Sequence, residues 1–301
     1  MLTEAHAEAR RRGIGGSDVA AIAGLSPWRS ALDVYYDKTE GSPQEENDAM
    51  HWGSILEEPV AAEYARVTGH KIRRVNSVLE HPEHPFMLAS LDRRIVAHPD
   101  GPGVLEIKTT LRRTDDWGEP GTDAVPDYYA LQVHQYLTIT GHTWADLAVL
   151  FLAERRFEIY RLGADPEISA WLIALERRFW TEHVEPRIPP EPQSLSDLAR
   201  RYPKDSGGRI VADGELLAAH ANLQQVREEI KGLESRKDAL EVQLKQAMAE
   251  ASELVGADGK PIATWKTQAR KRLDTKALRA AHPEIVQQFT TQAESRVFRL
   301  K

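Results

Sequence analysis

Apolar and polar positions along the chain follow two rhythms. Strand-like runs occupy Phe86 to Ala97, Val104 to Thr109, Leu147 to Leu152 and Arg156 to Leu162, bounded by turn-forming residues. Helical spacing takes over from Gly53 to Val67, where Leu56, Val60, Tyr64 and Val67 share one face and Gly69 provides a stop. Further helices are predicted from Pro126 to Gly141 and from Glu167 to His183. A short one runs from Gly15 to Ala23, with Ser17 or Asp18 as its cap and Gly24 closing it. The order is a helix, two paired strands, a helix and two more strands, with a last helix covering the sheet, which is a mixed α/β domain.

The rhythm changes after Glu185. The stretch Glu185-Pro-Arg-Ile-Pro-Pro-Glu-Pro192 reads as a domain edge, and Pro203-Lys-Asp-Ser-Gly-Gly208 as a second break. A main domain over 1–190, a linker over 191–212, a long helix over 213–252 and a small segment over 253–301 follow. In the long helix Leu216, Leu223, Ile230 and Leu244 recur at heptad spacing, interrupted by Lys237. Ala219, Val226, Leu233, Leu240 and Ala247 form the second series, so the two series are the a and d positions of a coiled coil or helical hairpin. The competing reading is an amphipathic helix packed on the main domain. Beyond it, Gly256 to Pro261 forms a turn, Ile262 to Lys266 a short strand, and Thr275 to Phe289 one helix capped by Asp274.

Composition narrows the chemistry. No cysteine is present, which removes disulfides, thiolate zinc sites and iron–sulfur clusters, so any metal must sit on oxygen or imidazole. No long apolar run and no secretory pattern occur, which predicts a cytoplasmic protein without a membrane span. The net charge is −7, but Lys260 to Lys301 carries ten Lys or Arg against three Asp or Glu. The acidic remainder would meet phosphate only through metal ions, a local basic groove or the basic tail. In that tail Trp265, Lys266, Arg270, Lys271, Arg272 and Arg296 mix basic and aromatic character as a nucleic-acid or partner contact does, with a folded cap bearing a solvated basic face as the competing reading.

The most informative stretch is Val104-Leu-Glu-Ile-Lys-Thr109. On a strand Glu106 and Lys108 point the same way while Ile107 points into the core. Asp92 lies on the preceding strand, joined by the turn His98 to Gly103, so one antiparallel hairpin brings two carboxylates and an ammonium together. Clustered carboxylates are costly unless a cation lies between them, and magnesium, with manganese as a substitute, suits oxygen ligands. A same-face Glu-x-Lys pair on a solvated hairpin is the ordinary alternative. The glycine-rich turn before Ser17 offers backbone donors and a hydroxyl to a phosphate, although a simple turn with a cap explains it as well. No Gly-Lys-Ser or Gly-Lys-Thr follows, so a P-loop is excluded. His81-Pro-Glu-His84 reads as a turn rather than a metal pair, and His134 as a packing or solvated residue.

Five blocks together resemble the lambda-exonuclease or YqaJ-type viral recombinase nucleases of the restriction-endonuclease-like, PD-(D/E)XK superfamily. They are Gly13-Ile-Gly-Gly-Ser-Asp18 with Gly24-Leu-Ser-Pro-Trp28, Trp52-Gly-Ser-Ile-Leu-Glu-Glu-Pro59, Ser90-Leu-Asp92, Leu105-Glu-Ile-Lys108 and Leu131-Gln-Val-His-Gln-Tyr136. The resemblance implies a restriction-endonuclease-like core, a central mixed sheet flanked by helices, here followed by the helical extension and basic tail. It implies that Asp92, Glu106 and the Ile107 carbonyl bind the metal, with Glu57 beside it and Glu58 as its neighbour. Lys108 would position the attacking water and Gln132 would face the site. Gly16 and Ser17, with Arg10, Arg11 or Arg12 assisting, would hold a DNA phosphate. Leu91 stands where the family often has proline.

The implied activity is a magnesium-dependent deoxyribonuclease of phage or prophage origin in a bacterial cell. It would be a 5′-to-3′ exonuclease on double-stranded ends, working as a homo-oligomer, a trimer by resemblance, with a single-strand annealing protein as partner. An endonuclease with the same centre is the alternative. A different class of reading makes the coiled coil and tail the working parts of an inert DNA-binding or assembly protein.

Overall fold

The computed structural model describes residues 11–41, 47–292 and 294–301, and the chain divides into two compact units, Met1–Arg201 and Tyr202–Lys301. The first unit is built on a five-stranded sheet of β2 (Lys71–Arg74), β5 (Arg93–Ala97), β6 (Gly103–Thr110), β7 (Trp144–Phe151) and β8 (Arg156–Gly163), in that spatial order. Only β6 and β7 run parallel; the other neighbours are antiparallel. A parallel pair needs a crossover, and the helix Asp127–Thr140 supplies it. A smaller sheet consists of β1 (Ile14–Gly15), β4 (Met87–Ala89) and β3 (Leu79–Glu80), in that order.

The α-helices of this unit among the described residues are α1 (Gly16–Ile22), α2 (Ala31–Glu40), α3 (Asp48–Thr68), α4 (the crossover Asp127–Thr140), α5 (Pro166–Phe179), which runs on into a π-helical turn over Trp180–Val184, and α6 (Leu195–Arg201). They cover both faces of the large sheet. Val60, Ala61 and Tyr64 of α3 pack on Ile95, Leu105 and Ile107. On the other face Val104, Leu147 and Val149 meet Val133 and Tyr136 of α4 together with α1, α2 and α5. The alternation of β6 therefore sends Leu105 and Ile107 toward α3, and Glu106 and Lys108 toward α4. Tyr64 ties α3 to β7 by donating to Asp146 Oδ2 at 2.6 Å. Gln135 ties α4 to the small sheet, donating Nε2 to the carbonyls of Ile14 (2.9 Å) and Leu88 (3.0 Å).

Several sequence expectations are corrected. The run Phe86 to Ala97 is not one strand: it breaks at residues 90–92 and its halves join different sheets. Helix α2, opened by Ser30 through a capping box with Asp33, was not expected at all. Helix α3 begins at Asp48 under an Asn47 cap rather than near Gly53, and Val67 on it is half exposed. The cap of α1 is Gly15, not Ser17 or Asp18; Asp18 lies in the first turn and its Oδ2 accepts the Gly15 N–H at 3.0 Å. The first unit also continues past residue 190. Asp197 of α6 accepts from Ser30 Oγ at 2.7 Å, and Arg200 pairs with Asp33 at 2.8 Å.

The second unit holds α7 (Gly214–Met248), the hairpin β9 (Glu253–Val255) and β10 (Pro261–Thr264), and two short helices, α8 (Thr275–Ala281) and α9 (Pro283–Gln288). Asp213 caps α7 by accepting the Leu216 N–H at 2.9 Å. The expected single helix from Thr275 to Phe289 is split at His282-Pro283, because proline cannot donate to the ladder. Among the described residues no helix is long and apolar enough to cross a membrane.

Candidate active site

The site forms where the split strand, β6 and α4 converge. Arg93 pairs with Leu105 and Ile95 with Gly103, which leaves Asp92 just off the end of the ladder, beside the middle of β6. Its Oδ2 accepts the Ile107 N–H at 2.8 Å, so the carboxylate is pinned to the strand that carries the rest of the chemistry. Glu106 is almost fully buried, at 2% exposure. Its Oε1 receives Lys108 Nζ at 2.7 Å and Gln132 Nε2 at 2.7 Å. Gln132 Nε2 also donates to the Tyr136 hydroxyl at 2.8 Å, which fixes the amide. The Lys108 ammonium lies over the Tyr129 ring, 5.4 Å from its centroid.

One oxygen of this cluster has no hydrogen-bond partner among the described residues: the buried Oε2 of Glu106. Burial, and then the charge of Glu106, push the Asp92 carboxyl well above the usual carboxylate range. Burial works to depress the Lys108 ammonium, but Glu106 and Asp92 outweigh it and raise it, so the lysine is held charged. Two adjacent carboxylates with an unsatisfied buried oxygen are an electrostatic debt that a hard divalent cation would settle. Asp92 and Glu106 fit such an ion. Among the described residues, however, no group of three His, Cys, Asp or Glu side chains forms a ready cage.

Glu57 faces the same cleft from α3, but its Oε1 is engaged by Arg93 Nη1 at 2.5 Å, with Arg74 at 3.6 Å. Arg93 spans the site: Nη2 reaches Glu58 Oε2 at 2.6 Å and Nη1 also donates to the Asp92 carbonyl at 2.6 Å. With only 3% exposure it clamps α3 to the peptide that carries Asp92. Sequence reasoning missed it. An arginine next to an aspartate on a strand reads as a solvated charge, and only the approach of α3 makes it structural.

The cleft encloses about 380 Å³ and is lined by Gly15, Gly16 and Ser17 as well as Ser54, Glu57, Ser90, Asp92, Glu106, Lys108, Gln132 and Tyr136. The glycine-rich block thus reaches the same cavity as the carboxylates. Gly16 is required by packing, since a Cβ there would stand 2.6 Å from the Tyr136 ring and 2.9 Å from Gln132 Cγ. Ser17 is exposed at the cleft. Its neighbour Asp18 consumes the Gly15 N–H and pairs with Arg29 (2.9 Å) and Lys38 (2.7 Å). Arg12 is exposed and does not line the cleft. Arg10 lies outside the described residues. His81 accepts the N–H groups of Glu83 and His84 at 3.1 Å each, as in a turn, and His134 is away from the cleft.

Residues 5–143 match the family model of the YqaJ-like viral recombinase domain, a span that contains every side chain of the cluster. Over 305 residues the chain is 32% identical to the uncharacterized protein YqaJ of Bacillus subtilis (strain 168), covering 97% of this chain and 92% of that one. Two crystal structures of LHK-Exo, an alkaline exonuclease from Laribacter hongkongensis, share the fold, one of them in complex with dAMP. The TM-score is 0.50 for both, at 22% and 24% identity, with 66% and 62% of this chain and 97% and 94% of theirs covered. The family-model match across the cluster and the 32% identity over nearly the whole of both chains make this chain a member of the YqaJ-like viral recombinase family.

Proposed function

We propose that this chain is a magnesium-dependent deoxyribonuclease that hydrolyses phosphodiester bonds, acting 5′ to 3′ from double-stranded ends in recombination. The observation that carries the reading is the polarised environment of Glu106. One oxygen is held by Lys108 and Gln132, the other is buried and unpartnered, and Asp92 lines the same cleft. Asp92, Glu106 and the Ile107 carbonyl would hold Mg²⁺, which when bound supplies charge stabilisation at the phosphate and acidifies water. The chain's own residues do the rest. Lys108 stays protonated and orients water or offsets charge at the phosphate. Gln132 keeps Glu106 in one rotamer, and the Arg93 clamp keeps Asp92 against β6. The family description and the exonuclease that shares the fold agree with DNA as substrate.

One observation favours an endonuclease with the same centre: the Gly15 N–H, a donor a terminal phosphate would use, is already taken by Asp18. The two modes separate on matched substrates. Linear 5′-phosphorylated duplex should be degraded with Mg²⁺ and spared with EDTA, while the closed circle survives; cutting of the circle would favour the endonuclease. Lys108→Ala should lower the rate by about 10²- to 10⁴-fold with the fold intact. Unchanged cutting by that variant would sink the assignment.

A further inference from the structure

Helix α7 carries an apolar stripe that its own unit leaves open. Leu223, Val226, Ile230, Leu233 and Leu240 lie on the a and d positions and are between 37% and 64% exposed. Exposed stripes of this length mark interaction surfaces. At 35 residues the helix is roughly 52 Å long. The other described helices of the unit, α8 and α9, have seven and six residues and cannot supply a matching arm.

We propose that α7 pairs with α7 of a second copy of this chain as an antiparallel two-stranded coiled coil. The charges select both the occupant and the direction. In the antiparallel register every a position meets a d position along the whole helix: Leu216 against Ala247, Leu223 against Leu240, Ile230 against Leu233, and Lys237 against Val226. The flanking positions then match in sign. Glu229 lies beside Arg236, Arg227 beside Glu234 and His220 beside Glu241 of the second copy, each pair occurring twice by symmetry. A parallel pair would place Lys237 against Lys237 in the core and Glu229 beside Glu234, so that only Arg236 beside Glu241 and Glu215 beside His220 would be complementary. Lys237 beside a valine can instead run its methylenes along the seam and lift its ammonium to water.

The chain contains no cysteine, so single cysteines report the register cleanly. Leu223→Cys and Leu240→Cys proteins, full length, are oxidised separately and as an exchanged mixture, then resolved on a non-reducing gel. Sedimentation gives the native mass. The mixture alone should yield a covalent dimer. Identical positions sit about 25 Å apart in the antiparallel register, beyond the roughly 7 Å Cα separation a disulfide spans. Arg236→Glu should weaken self-association about tenfold, and adding Glu229→Arg in the same chain should restore it. Helical circular dichroism equal to wild type in each variant excludes unfolding as the cause. A monomeric chain, a cross-link formed by either single-cysteine protein alone, or a mixture that fails to cross-link would overturn the proposal.

Discussion

The two units place their apolar side chains in opposite ways. In the first, both faces of the five-stranded sheet are covered by helices, and the buried charged groups other than Glu176 each meet a polar partner. In the second, Met248 is the only buried hydrophobic residue among those described, while the leucines and isoleucine of α7 stand in solvent. The contrast shows what burial does for a site. Where the core is closed, a lysine, two carboxylates and a glutamine are held to single geometries, because leaving any of them unpaired is expensive. Where it is open, surface charges are inexpensive and can set only the choice of a partner.

Mutations sharpen this contrast in a graded series. Arg93→Ala should have the largest effect on stability, about 3–5 kcal/mol, because it strips the clamp from Glu57 and from the Asp92 carbonyl inside a closed unit. Its check is the denaturation midpoint followed through the buried Trp117 and Trp144. Gly16→Ala comes next, at about 1–3 kcal/mol with impaired cutting, since the new methyl would press on Tyr136 and Gln132. An alanine variant with native stability and rate would show that α4 can retreat from α1.

A pH series tests the same closed core through Glu176 of α5, which is fully buried with both oxygens unpartnered among the described residues. Burial, and then the charge of Asp18, raise its carboxyl well above 4.5. Above 4.5 and below its raised folded pKa, the native state holds a proton that the unfolded chain has released. Stability therefore falls as pH rises through that window, by at most about 1.4 kcal/mol per pH unit for this group. Glu176→Gln should remove that part of the slope, and an unchanged slope in urea titrations at several pH values would contradict the assignment. The smallest effect is expected in the open unit. Lys245→Ala breaks the half-exposed bridge to Glu241 at 2.8 Å and should change the melting of α7 by less than about 0.5 kcal/mol.

The sequence by itself determined what depends on neighbours in the chain. The two-residue alternation of Val104 to Thr109 put Glu106 and Lys108 on one face and Ile107 on the other, as found. The heptads announced one long helix after Asp213, and Gly69 and Gly141 ended their helices in the left-handed conformation. Tertiary structure alone decided what depends on groups far apart in sequence. The break at residues 90–92 has no local signal, because the run stays strand-like while its halves join different sheets. Arg93 becomes a buried clamp only once α3 brings Glu57 and Glu58 to it, and Asp18 turns inward only because Arg29 and Lys38 wait there. Periodicity is written in the order of residues, whereas the cost of a buried charge is set by whatever the folded chain brings within a few ångströms of it.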